Sequence, residues 1–197
     1  GLFMLIPVLV ALIYREHNGV WFAIVAVCAL VFGAVVTHKK PESNVFYMRE
    51  GCIATAMSWF IMSVIGCLPF FLSGEIPSFT DALFETVSGF TTTGSTILSD
   101  VESLSYCMLF WRSFTHWIGG MGVLVFVMMI TSLDDENAMP LMRAEVPGPE
   151  ADKLVPKARH TARILYGMYF VLTAAEVVFL LFGGMNLYDA LLHAFST

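Results

Sequence analysis

The run Ser88-Gly89-Phe90-Thr91-Thr92-Thr93-Gly94-Ser95-Thr96 holds no ionisable side chain, yet no other stretch of this 197-residue chain is better equipped for chemistry. It offers uncharged oxygen: Thr and Ser hydroxyls, and the carbonyls of any part that is not helical. A row of such oxygens can replace the hydration shell of a monovalent cation. Gly94 permits a backbone angle that other residues resist. The same composition also suits a Thr-rich external turn between two helices in a non-conducting structural membrane subunit. A third chemistry would use Ser88 or Ser95 as a nucleophile and His116 as its base, an intramembrane hydrolase. No Gly-x-Ser-x-Gly motif accompanies them, and His116 reads more simply as a hydrogen-bonded packing residue. An enzyme is therefore not expected. Cys28, Cys52, Cys67 and Cys107 show no metal-ligand spacing and read as apolar filling.

The elements that must position these residues follow from solvent preference. Hydrophobic residues make up 57% of the chain and charged residues 13%, against about 25% charged in a soluble domain. Val20 to Thr37, Gly51 to Ser73, Tyr106 to Ile130 and Ile164 to Gly184 are each long enough to cross ~30 Å of hydrocarbon at ~1.5 Å per residue. Leu2 to Tyr14 is a shorter apolar block. Gly1 stands where an initiator Met would, and Thr197 falls inside a repeated motif, so the chain reads as part of a longer one.

Charge placement sets the topology. Eight of the ten basic residues lie in two connections: Lys39, Lys40 and Arg49 in one, and Arg143, Lys153, Lys157, Arg159 and Arg163 in the other. The positive-inside rule puts residues 38–50 and 132–163 in the cytoplasm. Residues 74–105 carry no Lys or Arg, hold Glu75, Asp81, Glu85, Asp100 and Glu102, and face outside.

Within that external segment, Ser78 and Asp81 give an [ST]-x-x-[DE] helix start, with Asp81 near the positive helix end. A helix over residues 78–89 reaches only ~16 Å, about half the hydrocarbon. It must stop at mid-depth and return along an irregular path, residues 91–96. Irregular backbone at that depth is tolerated only when packed in protein or lining a wet cavity, and the helix aims its negative end at the same spot. The segment recurs. Asn186-Leu187-Tyr188-Asp189-Ala190-Leu191-Leu192 repeats Ser78-Phe79-Thr80-Asp81-Ala82-Leu83-Phe84 at a constant offset of 108 positions (186 against 78), and Asn186 and Asp189 take the cap roles of Ser78 and Asp81. Half helices in repeats are a transporter and channel signature. The expected fold is an all-α integral membrane chain of helix–re-entrant pore loop–helix repeats, preceded by a two-helix hairpin. Residues 1–37 form the hairpin and 38–50 a cytoplasmic loop. Residues 51–131 form the first repeat, 132–163 a cytoplasmic connector, and 164–197 the start of a second repeat with pore helix 186–197.

At this point the residues resemble a known family. The run from Ser88 to Thr96 is similar to the first filter of Trk-type potassium uptake proteins, of the Trk/Ktr/HKT superfamily. Phe110-Trp111-Arg112-Ser113-Phe114-Thr115-His116-Trp117-Ile118-Gly119-Gly120-Met121-Gly122 resembles their following helix. Met142-Arg143-Ala144-Glu145 with Lys157-Ala158-Arg159-His160-Thr161-Ala162 resembles their cytoplasmic connection. The extra helix pair before residue 50 points to the TrkH-like branch. The resemblance covers the whole chain. It implies a four-repeat potassium pore in one chain, working as a homodimer in the bacterial inner membrane and gated by a cytosolic nucleotide-binding partner of the TrkA type. It implies Thr92, Thr93, Gly94 and Ser95 as ion-binding residues, with K+ at the Thr92 and Thr93 carbonyls, and a second filter beginning past Thr197. Ser95 and Thr96 stand where a Thr-Val-Gly-Tyr-Gly filter has Tyr and the second Gly, which leaves Na+ open beside K+. Lipid is a further partner; no organic cofactor and no nucleic acid are expected.

Arg112 and Glu176 are the charges inside spanning blocks, where an unpaired charge is costly. They are expected to pair with each other or to support the backs of the filter loops, alongside Thr91 and Thr96. The alternative is that each snorkels or meets another repeat.

Overall fold

The computed structural model describes residues 1–38, 48–122 and 154–197. The connections expected to be cytoplasmic, 38–50 and 132–163, with Arg143 and Lys153, lie largely outside them. The described residues are helical and form two compact units, Gly1–Trp117 with Phe195–Thr197, and Ile118–Ala194.

In the first unit, a short 3-10 turn leads into α1 (Leu5–Tyr14), which ends on Arg15 in the left-handed region. The chain then enters α2 (Gly19–Thr37), whose 19 residues span ~28 Å. α3 (Met48–Ser73) follows and keeps Pro69 within its helix. α4 (Phe79–Phe90) is the half helix expected from the sequence, and α5 is described over residues 106–122. The windows Gly19–Val36 and Ala56–Ser73 are long and apolar enough to cross a membrane. Their large side chains are mostly not covered by protein: Val27, Phe32, Val35 and Phe60 are all more than half exposed. An apolar surface of that extent is at home in hydrocarbon, not in water.

Buried rings and half-buried carboxylates hold this unit together. The Trp111 indole N–H of α5 donates to the Gly66 carbonyl of α3 at 2.9 Å, while its ring meets Phe22 of α2 and Phe90 of α4 edge-on. Phe195 joins Phe110, Phe114 and Trp117 at centroid distances of 5.5 to 5.8 Å. Where α1 turns into α2, Glu16 accepts from the Tyr106 and Cys107 N–H groups at 2.8 and 2.9 Å. Those are orphan donors of the first turn of α5, and an anion suits that helix end. Beside it, Glu75 accepts from Asn18 Nδ2 (2.5 Å), the Ser105 N–H (2.9 Å) and the Ser105 hydroxyl (2.6 Å). Tyr14 stacks on Tyr106 with ring centroids 4.3 Å apart. The turn between α1 and α2 is therefore fastened to Glu75 and the start of α5.

In the second unit, α6 (Leu154–Phe182) carries the crossing window Arg163–Phe182 and ends at Gly183-Gly184, Gly184 taking a φ of +88°. α7 (Leu187–Ser196) is a second half helix. The Asn186 side-chain oxygen accepts from the Asp189 N–H at 2.9 Å, and its amide donates to the Asp189 carboxylate. Its buried side chains are Ala190, Leu192 and Ala194.

Candidate ion-binding site

α4 starts where the cap sequence requires. The Ser78 hydroxyl accepts from the Asp81 N–H at 3.4 Å, and Asp81 sits in the first turn. The helix is amphipathic in an unusual sense, for its buried face includes Glu85, Thr86, Ser88 and Gly89 as well as Ala82 and Phe90. Gly89 is there for room. A Cβ built on it would lie 2.1 Å from the Thr115 hydroxyl oxygen of α5, so a side chain at this position would push the half helix off its neighbour.

Beyond Phe90 the backbone folds back on the helix end. The N–H groups of Thr92, Thr93 and Gly94 donate to the carbonyls of Gly89 and Ser88 at 2.9, 3.0 and 3.4 Å. Thr92 adopts φ +55° and Gly94 φ +74°. A β-branched residue in the left-handed region is a real outlier, costing about 1–3 kcal/mol, and such strain clusters at ligand-holding sites. With the N–H groups turned toward the helix, no donor among the described residues reaches the carbonyls of Thr92, Thr93 or Gly94. Thr91 to Ile97 are exposed in this chain. The Ser95 carbonyl differs, since it accepts the buried Ser88 hydroxyl at 2.6 Å. The Thr91 and Thr93 hydroxyls share a hydrogen bond of 2.8 Å, and Thr91 also donates to the Val87 carbonyl.

The outer part of the return strand is held by a residue that sequence reasoning passed over. Glu85 is 2% exposed. Its carboxylate accepts from the Thr96 hydroxyl at 2.9 and 3.0 Å, from the Ile97 N–H at 3.1 Å, and from Arg112 Nε at 2.5 Å. Arg112 was expected to pair with Glu176 or to support the back of the filter loop; the carboxylate beside it is Glu85, which also holds Thr96 and Ile97. The physical reason is depth. A half helix carries its own acid into the interior, so Glu85, grouped by sequence with the external acids, is the one beside the intramembrane arginine. Glu176 is half-buried on α6, in the other unit. The available signal was the lone Arg112, which needs a carboxylate on any element reaching its level.

The hydrolase alternative fails on geometry. His116 Nδ1 is 3.0 Å from the Arg112 carbonyl, and Ser88 donates to Ser95, so no serine–histidine pair forms among the described residues. The same residues contain no cluster of three or more His, Cys, Asp or Glu side chains able to hold a metal.

Comparison with known proteins gives the family. The family model of TrkH, a cation transport protein, matches residues 18–197. The chain belongs to the TrkH family. It is 40% identical over 98% of its length to the Trk system potassium uptake protein TrkH of Escherichia coli K12, and covers 41% of that protein. It is 38% identical over its full length to the TrkG potassium uptake protein of the same organism, again covering 41%. The crystal structure of the potassium transporter TrkH from Vibrio parahaemolyticus superposes with a TM-score of 0.78 at 32% identity, over 98% of this chain and 39% of that one. The chain thus spans about two fifths of the length of these TrkH-family relatives, and its all-α membrane fold is the one the sequence led us to expect.

Proposed function

We propose that this chain contributes the first filter strand of a potassium uptake protein. K+ passes the Thr92, Thr93 and Gly94 carbonyls, and Na+ competes there. Ser95 completes the strand with a carbonyl that the Ser88 hydroxyl holds in place. The observation that carries this reading is the direction of the peptide groups: three successive N–H groups return to the end of α4, and their carbonyls are left without donors. Carbonyl oxygens so released replace the hydration shell of an ion, and the negative end of α4 favours a cation. The potassium relatives named above support the choice of ion.

Around this strand we place the rest of the reading. Residues 51–131 form the first of four repeats, and residues 164–197 begin the second, with α7 as its pore helix. Residues 38–50 and 132–163 face the cytoplasm and 74–105 the outside of a bacterial inner membrane. The protein works as a homodimer with a cytosolic nucleotide-binding regulatory subunit. The fastening of the 15–18 turn to Glu75 and Ser105 supports putting both on one side.

Gly94→Ala tests the function. The φ of +74° disfavours any side chain, by about 1–2 kcal/mol. In the full-length protein in membrane vesicles, Rb+ uptake should lose its preference over Na+ while the protein still assembles. Unchanged flux and unchanged preference would remove the filter assignment.

A further inference from the structure

Glu85 is the one carboxylate buried among the described residues, and everything it accepts from is either Arg112 or the outer half of the return strand. We propose that the Glu85–Arg112 pair is a positioning clamp that sets the outer end of the filter strand, and through it the ion preference, and that the second repeat does not share it. The proposal rests on the permeation reading above.

Three observations build it. One carboxylate takes three donors: Oε1 receives Arg112 Nε and the Thr96 hydroxyl, and Oε2 receives the same hydroxyl and the Ile97 N–H. A protonated acid would have to turn one of those oxygens into a donor, so the arrangement fits the ionised form. Arg112 offsets that charge at close range. The pair adds no net charge near the strand, and its effect on a passing ion is exerted through geometry, not through attraction.

The clamp also has a place in a sequence of anchors. Ser88 accepts Thr93 and Gly94 N–H groups at its carbonyl and gives its hydroxyl to Ser95. Three residues earlier on the same helix, Glu85 fixes Thr96 and Ile97. The Thr96 hydroxyl in turn accepts from the Leu98 N–H at 3.1 Å. The inner part of the strand is thus tied to the last turn of α4, and the outer part to the turn before it. Arg112 reaches in from α5 and locks the carboxylate, so the strand is braced between two helices. A coordination shell of carbonyls discriminates between ions only while its spacing is kept.

The repeat makes the clamp asymmetric. At the offset of 108 positions, Ser196 stands where Ser88 does, and His193 stands where Glu85 does. Both half helices have a serine at the anchor position; the carboxylate is not repeated. The first strand is braced by an ion pair, and the matching position of α7 holds a histidine in place of the carboxylate.

The test is Rb+ uptake by the full-length protein in vesicles, with Na+ as competitor and the amount of folded protein measured by size-exclusion chromatography. Glu85→Gln and Glu85→Asp are compared. Because position decides and not charge, both should lower the Rb+ preference by about tenfold, equivalent to ~1.4 kcal/mol of discrimination. Wild-type preference in Glu85→Asp with loss in Glu85→Gln would show that charge acts directly and would overturn the clamp. Wild-type preference in both, with only the yield reduced, would make the pair a folding element and overturn it too. Should these variants not fold, Thr96→Val removes the hydroxyl the clamp holds while keeping its shape, and is expected to show the same loss; full retention there would refute the proposal. Gly94→Ala run in parallel separates the cases, since its failure to alter selectivity would indict the permeation reading itself.

Discussion

The two half helices, α4 and α7, begin alike and end differently. Each starts behind a polar cap followed three residues later by Asp, and each buries an alanine one residue after that, Ala82 and Ala190. Beyond this shared start, α4 carries Glu85 and Gly89 where the second copy has His193 and, just past the end of α7, Thr197. In α4 those two residues have specialised roles, one gripping the return strand and the other letting the helix press against α5. The shared part is what any helix dipping into a bilayer needs. The divergent part is what an individual strand of the path needs. Repetition in this chain therefore keeps the start of the half helix constant and individualises its end.

Transplanting the second sequence into the first is the sharpest way to break this comparison. Gly89→Thr puts a branched side chain where a bare Cβ already comes within 2.1 Å of the Thr115 hydroxyl. It should destabilise the first repeat by about 3 kcal/mol, the upper end of ordinary overpacking costs. Thermal unfolding in detergent would show it, and a shift near zero would mean that α4 and α5 are not in close contact. A smaller effect is expected at Thr92. Thr92→Gly relieves the φ of +55° and should leave stability unchanged or raise it by about 1 kcal/mol, while loosening the strand and lowering Rb+ preference. A loss of stability would show that Thr92 is not strained. The smallest effects belong to the shared start. Ser78→Ala and Asn186→Ala should each cost about 1 kcal/mol, Asn186→Ala more, because its cap bond is 2.9 Å against 3.4 Å for Ser78. The reverse order would show that the length of the cap bond does not set its worth.

Much of this was legible in the sequence. Hydropathy blocks placed α2 and α3 within a few residues, because a membrane span is written in uninterrupted apolar composition; α6 begins ten residues before its apolar block, at Leu154. Ser78 with Asp81, and Asn186 with Asp189, marked both half-helix starts, because a cap is a local interaction between neighbours. What remained hidden was long-range or locally disfavoured. Glu16 caps α5 across 90 positions, and no local pattern announces such a bond. Glu85 looked like one more external acid, because its depth depends on how far α4 penetrates and on Arg112 waiting there. The left-handed Thr92 ran against its own preference, and only the folded-back strand imposes it.

The central claim is that the carbonyls released between Thr92 and Gly94 take a dehydrated cation. Anomalous scattering from crystals of the full-length protein grown in Rb+ or Cs+ tests it most directly. The account predicts a peak within about 3 Å of the Thr92 and Thr93 carbonyl oxygens, the distance of direct coordination without intervening water. Peaks confined to carboxylates at the membrane surface, with none beside these carbonyls, would contradict it.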